Sequence, residues 1–270
     1  MRKITHASRF RGEEWTRFPR RVFITALCAA AVAGLRGAEE RQYKTGYSSI
    51  MKLGRDLHGA LERGNRARIA EQPISIETDH RPFLRLLQLK DGEKEVRGVW
   101  VSAGFIDLMN RVAHAQAIDR KTKGYFERYV EMLPSGGVPP LPEGDNARYW
   151  SEEVMNEQQS NFNSIVGVVI GMKLAQHYLG ENGTREITEG EWREAFMHGV
   201  ENALRAGCMM EGAAPFFAAI EQMKGKPEWV NELIHPKVKF ARVRPAMEAA
   251  QREYLAGGAG PAVDAGPASN

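Results

Sequence analysis

Residues 151 to 182 read SEEVMNEQQSNFNSIVGVVIGMKLAQHYLGEN. The stretch opens polar and turns apolar from Ile165, and it predicts one long helix. Ser151 is suited to cap its start, with Glu152 and Glu153 in the first turn where acidic charge favours the helix dipole. Near its end His177 and Glu181 stand four apart. On a helix that spacing stacks two side chains on one face, one turn apart.

Downstream, residues 180 to 190 form a polar connector. Thr188-Glu189-Gly190-Glu191 has the form of a capping box and starts a second helix that ends at Gly207. Glu194, His198 and Glu201 recur on one face of it. Residues 215 to 223 (PFFAAIEQM) predict a short apolar helix. His235-Pro236 precedes a last helical piece, and the Gly/Ala/Pro tail, 257 to 270, is expected to be disordered.

Upstream, residues 134 to 146 (PSGGVPPLPEGDN), in a loop taken to extend to 150, are rich in proline and glycine and predict a surface loop or rim. Residues 105 to 133 carry a helical apolar pattern that Gly124 breaks or bends. His114 and Asp119 lie there, five apart, a spacing that does not pair them as ligands. Ile74-Ser75-Ile76, 83 to 89 and 96 to 102 read as strands, with Asp91-Gly92 as a turn. An amphipathic helix is expected over Thr45 to Arg63. The fold class implied is α+β, with helices dominant and a small antiparallel sheet over 73 to 102.

Phe18-Pro19-Arg20-Arg21 is followed by VFITALCAAAVAGL, the layout of a secretory signal. Ala31-Val32-Ala33 supplies a cleavage site before Gly34. The segments are therefore 1–33 as signal, 34–256 as a single domain and 257–270 as tail. The protein is expected to be exported, periplasmic or secreted; an uncleaved segment would instead anchor it, and would be its one contact with a membrane. Ten Lys or Arg fall within the first 44 residues, so the net charge of +3 reflects that segment rather than a nucleic-acid surface. With 43% hydrophobic residues the chain can build a core. Its two cysteines, Cys28 and Cys208, exclude a disulfide framework once the signal is removed. No glycine-rich phosphate loop follows a strand, and so no nucleotide cofactor is expected.

Several of these pieces fall in a recognisable order. The chain resembles the gluzincin metallopeptidases of the CAAX-prenyl-protease and heat-shock membrane-protease type, over about residues 96 to 247. VWVSAGFIDL (99 to 108) is similar to their strand and small-Gly-apolar-apolar-Asp-Leu turn. His177 to Glu181 stands where their H-E-x-x-H helix would be. Glu194 leading to Ala206-Gly207 is similar to the helix that supplies a glutamate ligand, and PFFAAIEQM and His235-Pro236 with Arg242 match later segments. The resemblance implies a zincin-like domain holding zinc, or manganese given the carboxylates, through His177, Glu181 and Glu194, with His198 and Glu201 as alternatives. It also implies a peptide or protein partner.

The departures bear on chemistry. In the family's mechanism the metal lowers the pKa of its water toward about 7 and the motif glutamate takes the proton. Here Tyr178 holds the general-base position, with an ordinary pKa near ~10. Glu194, Glu201 or Glu157 would have to substitute. Read from the residues alone, His177 also suits a helix end, where positive charge meets the dipole, with Glu181 on the surface beyond it. Two functions follow: a metallopeptidase-like hydrolase with a degenerate, impaired site, or a non-catalytic exported protein that uses the same groove, or the 134 to 146 loop, to bind a partner.

Overall fold

The computed structural model describes residues 46–91, 94–135, 139–142, 146–179 and 187–257. All belong to one compact unit. Residues 1–33, where a signal is expected, Glu181 and the tail beyond Gly257 lie outside the described residues.

The domain is α+β and mainly helical. Helix α1 (Tyr47–Ala60) and the short α2 (Arg63–Arg66) lead into strands β1 (Ile69–Glu77), β2 (Leu84–Asp91) and β3 (Lys94–Ser102). Helices α3 (Ala103–Asp119) and α4 (Tyr125–Met132) follow. Then come α5 (Glu152–Tyr178), α6 (Glu189–Arg205), α7 (Ala213–Gln222), the short α8 (Glu228–Asn231) and α9 (Phe240–Ala256). Among the described residues, no helix is long and apolar enough to cross a membrane.

The sheet is mixed rather than wholly antiparallel. Its order is β1-β3-β2. β2 and β3 pair antiparallel from Leu84↔Val101 to Asp91↔Lys94, and the turn expected at Asp91-Gly92 reaches outside the described residues. β1 instead lies on the far side of β3 and runs parallel to it, from Ile74↔Val99 to Glu77↔Ser102. Residues 78 to 83 make this possible by carrying the chain across the end of β3. The Gly104 N–H donates to the Asp79 carbonyl at 3.0 Å. A side chain at Gly104 would strike the His80 carbonyl, so the glycine lets this crossing lie against the start of α3. A bulge between Ile69 and Ile74 brings Pro73 over Gly98, where a Cβ would lie 2.5 Å from the Pro73 carbonyl oxygen.

Helix ends follow local chemistry. The Ser102 hydroxyl accepts from the Phe105 N–H at 3.0 Å and starts α3. Gly124 adopts φ 76° and separates α3 from α4, which replaces the single bent run with two helices. The Ser151 hydroxyl accepts from the Val154 N–H and starts α5. The Thr188 capping box with Glu191 starts α6, and Gly207 at φ 85° follows its end. His235-Pro236 sits in a turn before α9.

The core is continuous and α5 runs through it. From Ser164 to His177 every residue of that helix is buried, which is why its second half shows no polar stripe. Against it pack α3, α6, α7 and the inner face of the sheet. Trp192, Phe196, Phe217 and Phe240 stack and meet edge-on between α6, α7 and α9, at centroid distances of 5.0 to 6.2 Å. Val99, Val101 and Leu84 face this core from the sheet, and Trp100 faces out.

Candidate functional site

The last turn of α5 is fastened to the sheet. His177 is 1% exposed. Its Nε2 lies 2.6 Å from the carbonyl oxygen of Gly98 on β3. A carbonyl only accepts, so Nε2 carries the hydrogen. Arg97 donates from Nη1 to the His177 carbonyl at 2.7 Å, and Arg68 donates to the Tyr178 carbonyl at 3.4 Å. Two guanidinium groups thus satisfy carbonyls that a helix C-terminus leaves open.

Tyr178 points elsewhere. Successive helical residues are about 100° apart, so when His177 faces the sheet Tyr178 turns aside. Its ring meets His198 of α6 edge-on at 5.7 Å. Burial pushes its hydroxyl up to about 12; nearby Glu201, Glu62 and Glu194 add to this and Arg205 opposes it. The phenol therefore stays protonated at neutral pH and is unsuited to accept a proton from water.

Glu194, His198 and Glu201 share the outer face of α6. Their side chains are 57%, 36% and 50% exposed. His198 stands 3.9 Å from each carboxylate, Nε2 toward Glu194 and Nδ1 toward Glu201. The structure therefore brings His198 together with Tyr178 and the two glutamates, on a solvated face, while His177 is turned into the sheet. Glu157 belongs to α5, about 30 Å along the axis from His177 at 1.5 Å per residue, and pairs with Arg120 at 2.7 Å. It is not a base for chemistry at His177. His235 is buried and accepts from the Lys237 N–H at its Nδ1. Cys208 is buried, and burial pushes its thiol up to about 12, so it behaves as a small apolar group rather than a nucleophile. Among the described residues, no group of three His, Cys, Asp or Glu side chains is arranged to hold a metal ion.

Lys173 is the functional-site residue that the sequence reading passed over. It is only 7% exposed, near the C-terminal end of α5 and one turn before His177 on the same face. Its Nζ donates to the Glu232 carbonyl at 3.1 Å, just beyond α8. The Glu232 side chain is pushed up by burial; the Lys173 charge, the Leu84 N–H and Arg85 work against that shift. Lysines are rarely buried without a partner. The signal was present in the sequence as one lysine within the apolar run Ile165 to His177.

Compared with known proteins, the chain matches no family model, no curated protein and no solved structure.

Proposed function

We propose that this chain is a non-catalytic exported protein that keeps a metallopeptidase-like helical scaffold and binds a peptide or protein partner. The observation that carries this reading is Lys173 on the His177 face of α5. Metal-bound histidines often donate their second nitrogen to a carbonyl, so the bond to Gly98 fits either role. The neighbouring ammonium does not. Side chains one helical turn apart are neighbours on a helix surface, so a divalent cation at His177 would stand near this positive charge and be opposed by it. Tyr178, held protonated and directed at His198, also supplies no general base for hydrolysis.

A partner surface is available on the outer face of the sheet. Trp100 is 39% exposed. Phe83 meets it edge-on at 6.5 Å, and the Arg85 guanidinium lies 5.1 Å from the centre of the Phe83 ring. Arg85 pairs directly across from Trp100 in the β2–β3 register. Exposed tryptophan and arginine side by side are the residue types that dominate binding energy at protein interfaces. The basic-then-apolar N-terminus supports export.

The test is metal content. Purified protein is loaded with excess zinc or manganese, desalted, and measured by elemental mass spectrometry beside the His177→Ala variant. The expected result is no stoichiometric metal in either protein. One equivalent in the wild type that is lost in the variant would overturn the proposal.

A further inference from the structure

Residues 139–142, Pro-Pro-Leu-Pro, are held against the domain by two aromatic donors. The Tyr129 hydroxyl on α4 donates to the Pro139 carbonyl at 3.1 Å. The Trp150 Nε1–H, just ahead of α5, donates to the Pro142 carbonyl at 3.0 Å. Proline fixes φ near about −65°, and a residue before proline is steered to extended backbone. Both rules act here, since Pro139 precedes Pro140 and Leu141 precedes Pro142. These restraints favour the polyproline II helix, which has three residues per turn and no internal hydrogen bonds. Positions 139 and 142 are one such turn apart, about 9 Å, so their carbonyls share a face.

The groove beneath the segment is built by other parts of the fold. Leu141 packs, with Tyr125 and Tyr149, on a small apolar cluster of α3 and α5. Tyr125 stacks on Tyr129 with centroids 6.4 Å apart, and the Trp150 ring meets His114 of α3 edge-on at 4.1 Å. The Tyr149 and Trp150 amides donate to the Asn146 carbonyl at 2.9 and 3.1 Å, which fixes the wall ahead of α5. Aromatic-lined grooves are how proline-rich peptides are recognised, because a preformed extended helix loses little entropy on docking. Pro139 is buried, and Leu141 and Pro142 are half-buried. The segment therefore faces inward as the groove's ligand and is not offered to solvent as a motif for others to bind.

We infer that this groove is a recognition site for proline-rich peptides, and that residues 139–142 are an internal ligand which a partner's proline-rich segment displaces. The occupant shows the chemistry the groove accepts: two prolines three positions apart, with an apolar residue ahead of the second. An internal ligand competes with an external one. The apparent affinity for an external peptide falls in proportion to the fraction of time the groove stands empty. Tyr125 also lines an open hollow with Arg128, Glu131 and Met132, which leaves room for a longer peptide to run past the groove. The site shares no residue with the sheet face around Trp100 and does not depend on it.

The probe is a labelled synthetic peptide of residues 138–144, VPPLPEG. It is titrated, with fluorescence polarisation as the readout, against the full chain and a full-chain variant carrying Pro139→Gly, Pro140→Gly and Pro142→Gly. Glycine removes the backbone restraint and so weakens the internal ligand. The variant is expected to bind the peptide at least about tenfold more tightly than the wild type. Adding Trp150→Phe, which keeps an apolar ring and removes the indole donor, should then weaken binding about fivefold. A folded glycine variant that binds no better than the wild type, or binding indifferent to Trp150→Phe, overturns the inference. Should the glycine variant not fold, the wild type decides. Its Trp150 indole N–H resonance must shift as the peptide is raised past the millimolar effective concentration of the internal segment, and a resonance that stays fixed overturns the inference.

Discussion

His177 and Tyr178 are neighbours in the chain, yet the helix sends one into the sheet and the other toward α6. His177 then serves as a rivet between α5 and β3. His177→Ala would strand the Gly98 carbonyl and leave a cavity, so we expect a loss of about 2–4 kcal/mol in urea unfolding. A loss within error would show that the ring does not anchor the helix end. The four-residue spacing to Glu181 was legible in the sequence; which way His177 faces was not, because the direction depends on where the sheet packs. Lys173 was legible only as an anomaly. A lone charge in an apolar run signals a buried polar contact but does not say with what, and its partner is 59 positions away.

At the level of elements, α5 and α6 cross at glycine. A Cβ on Gly199 would lie 2.5 Å from the Met172 backbone nitrogen, and one on Gly171 would lie 2.8 Å from the Gly199 carbonyl oxygen. Gly199→Ala must therefore push the helices apart and is expected to cost about 1–3 kcal/mol by thermal or chemical denaturation. Gly190 on the same helix meets nothing within 4 Å and is the matched control. Equal behaviour of the two alanine variants would contradict the close crossing. Helix starts were legible because caps are local: Ser151 and Thr188 do as their neighbours dictate. The antiparallel pairing of β2 with β3 was legible from the Asp91-Gly92 pair that stands between two apolar runs in the sequence. The parallel pairing of β1 was not, since strand alternation identifies a strand without naming its partner. That pairing rests on the crossing at residues 78–83, the bulge at Pro73 and Gly98, all of them tertiary contacts.

Across the whole molecule, one core organises everything described. The long helix supplies its axis, the sheet covers one end of that helix, and the aromatic cluster between α6, α7 and α9 fills another part. The mainly helical α+β class was readable from periodicity because it depends on patterns repeated over many residues. The chemistry was harder to read, because it turns on which side chains converge. The lysine, the inward histidine and the protonated tyrosine are the observations on which the proposed non-catalytic role rests. The state of the His177 ring tests this most directly. Nitrogen-15 NMR of the imidazole in the full chain is recorded before and after one equivalent of zinc. The account predicts a ring that carries a hydrogen at Nε2, with both nitrogen signals unchanged by the metal. A shift of either nitrogen that saturates at one equivalent of zinc would contradict it.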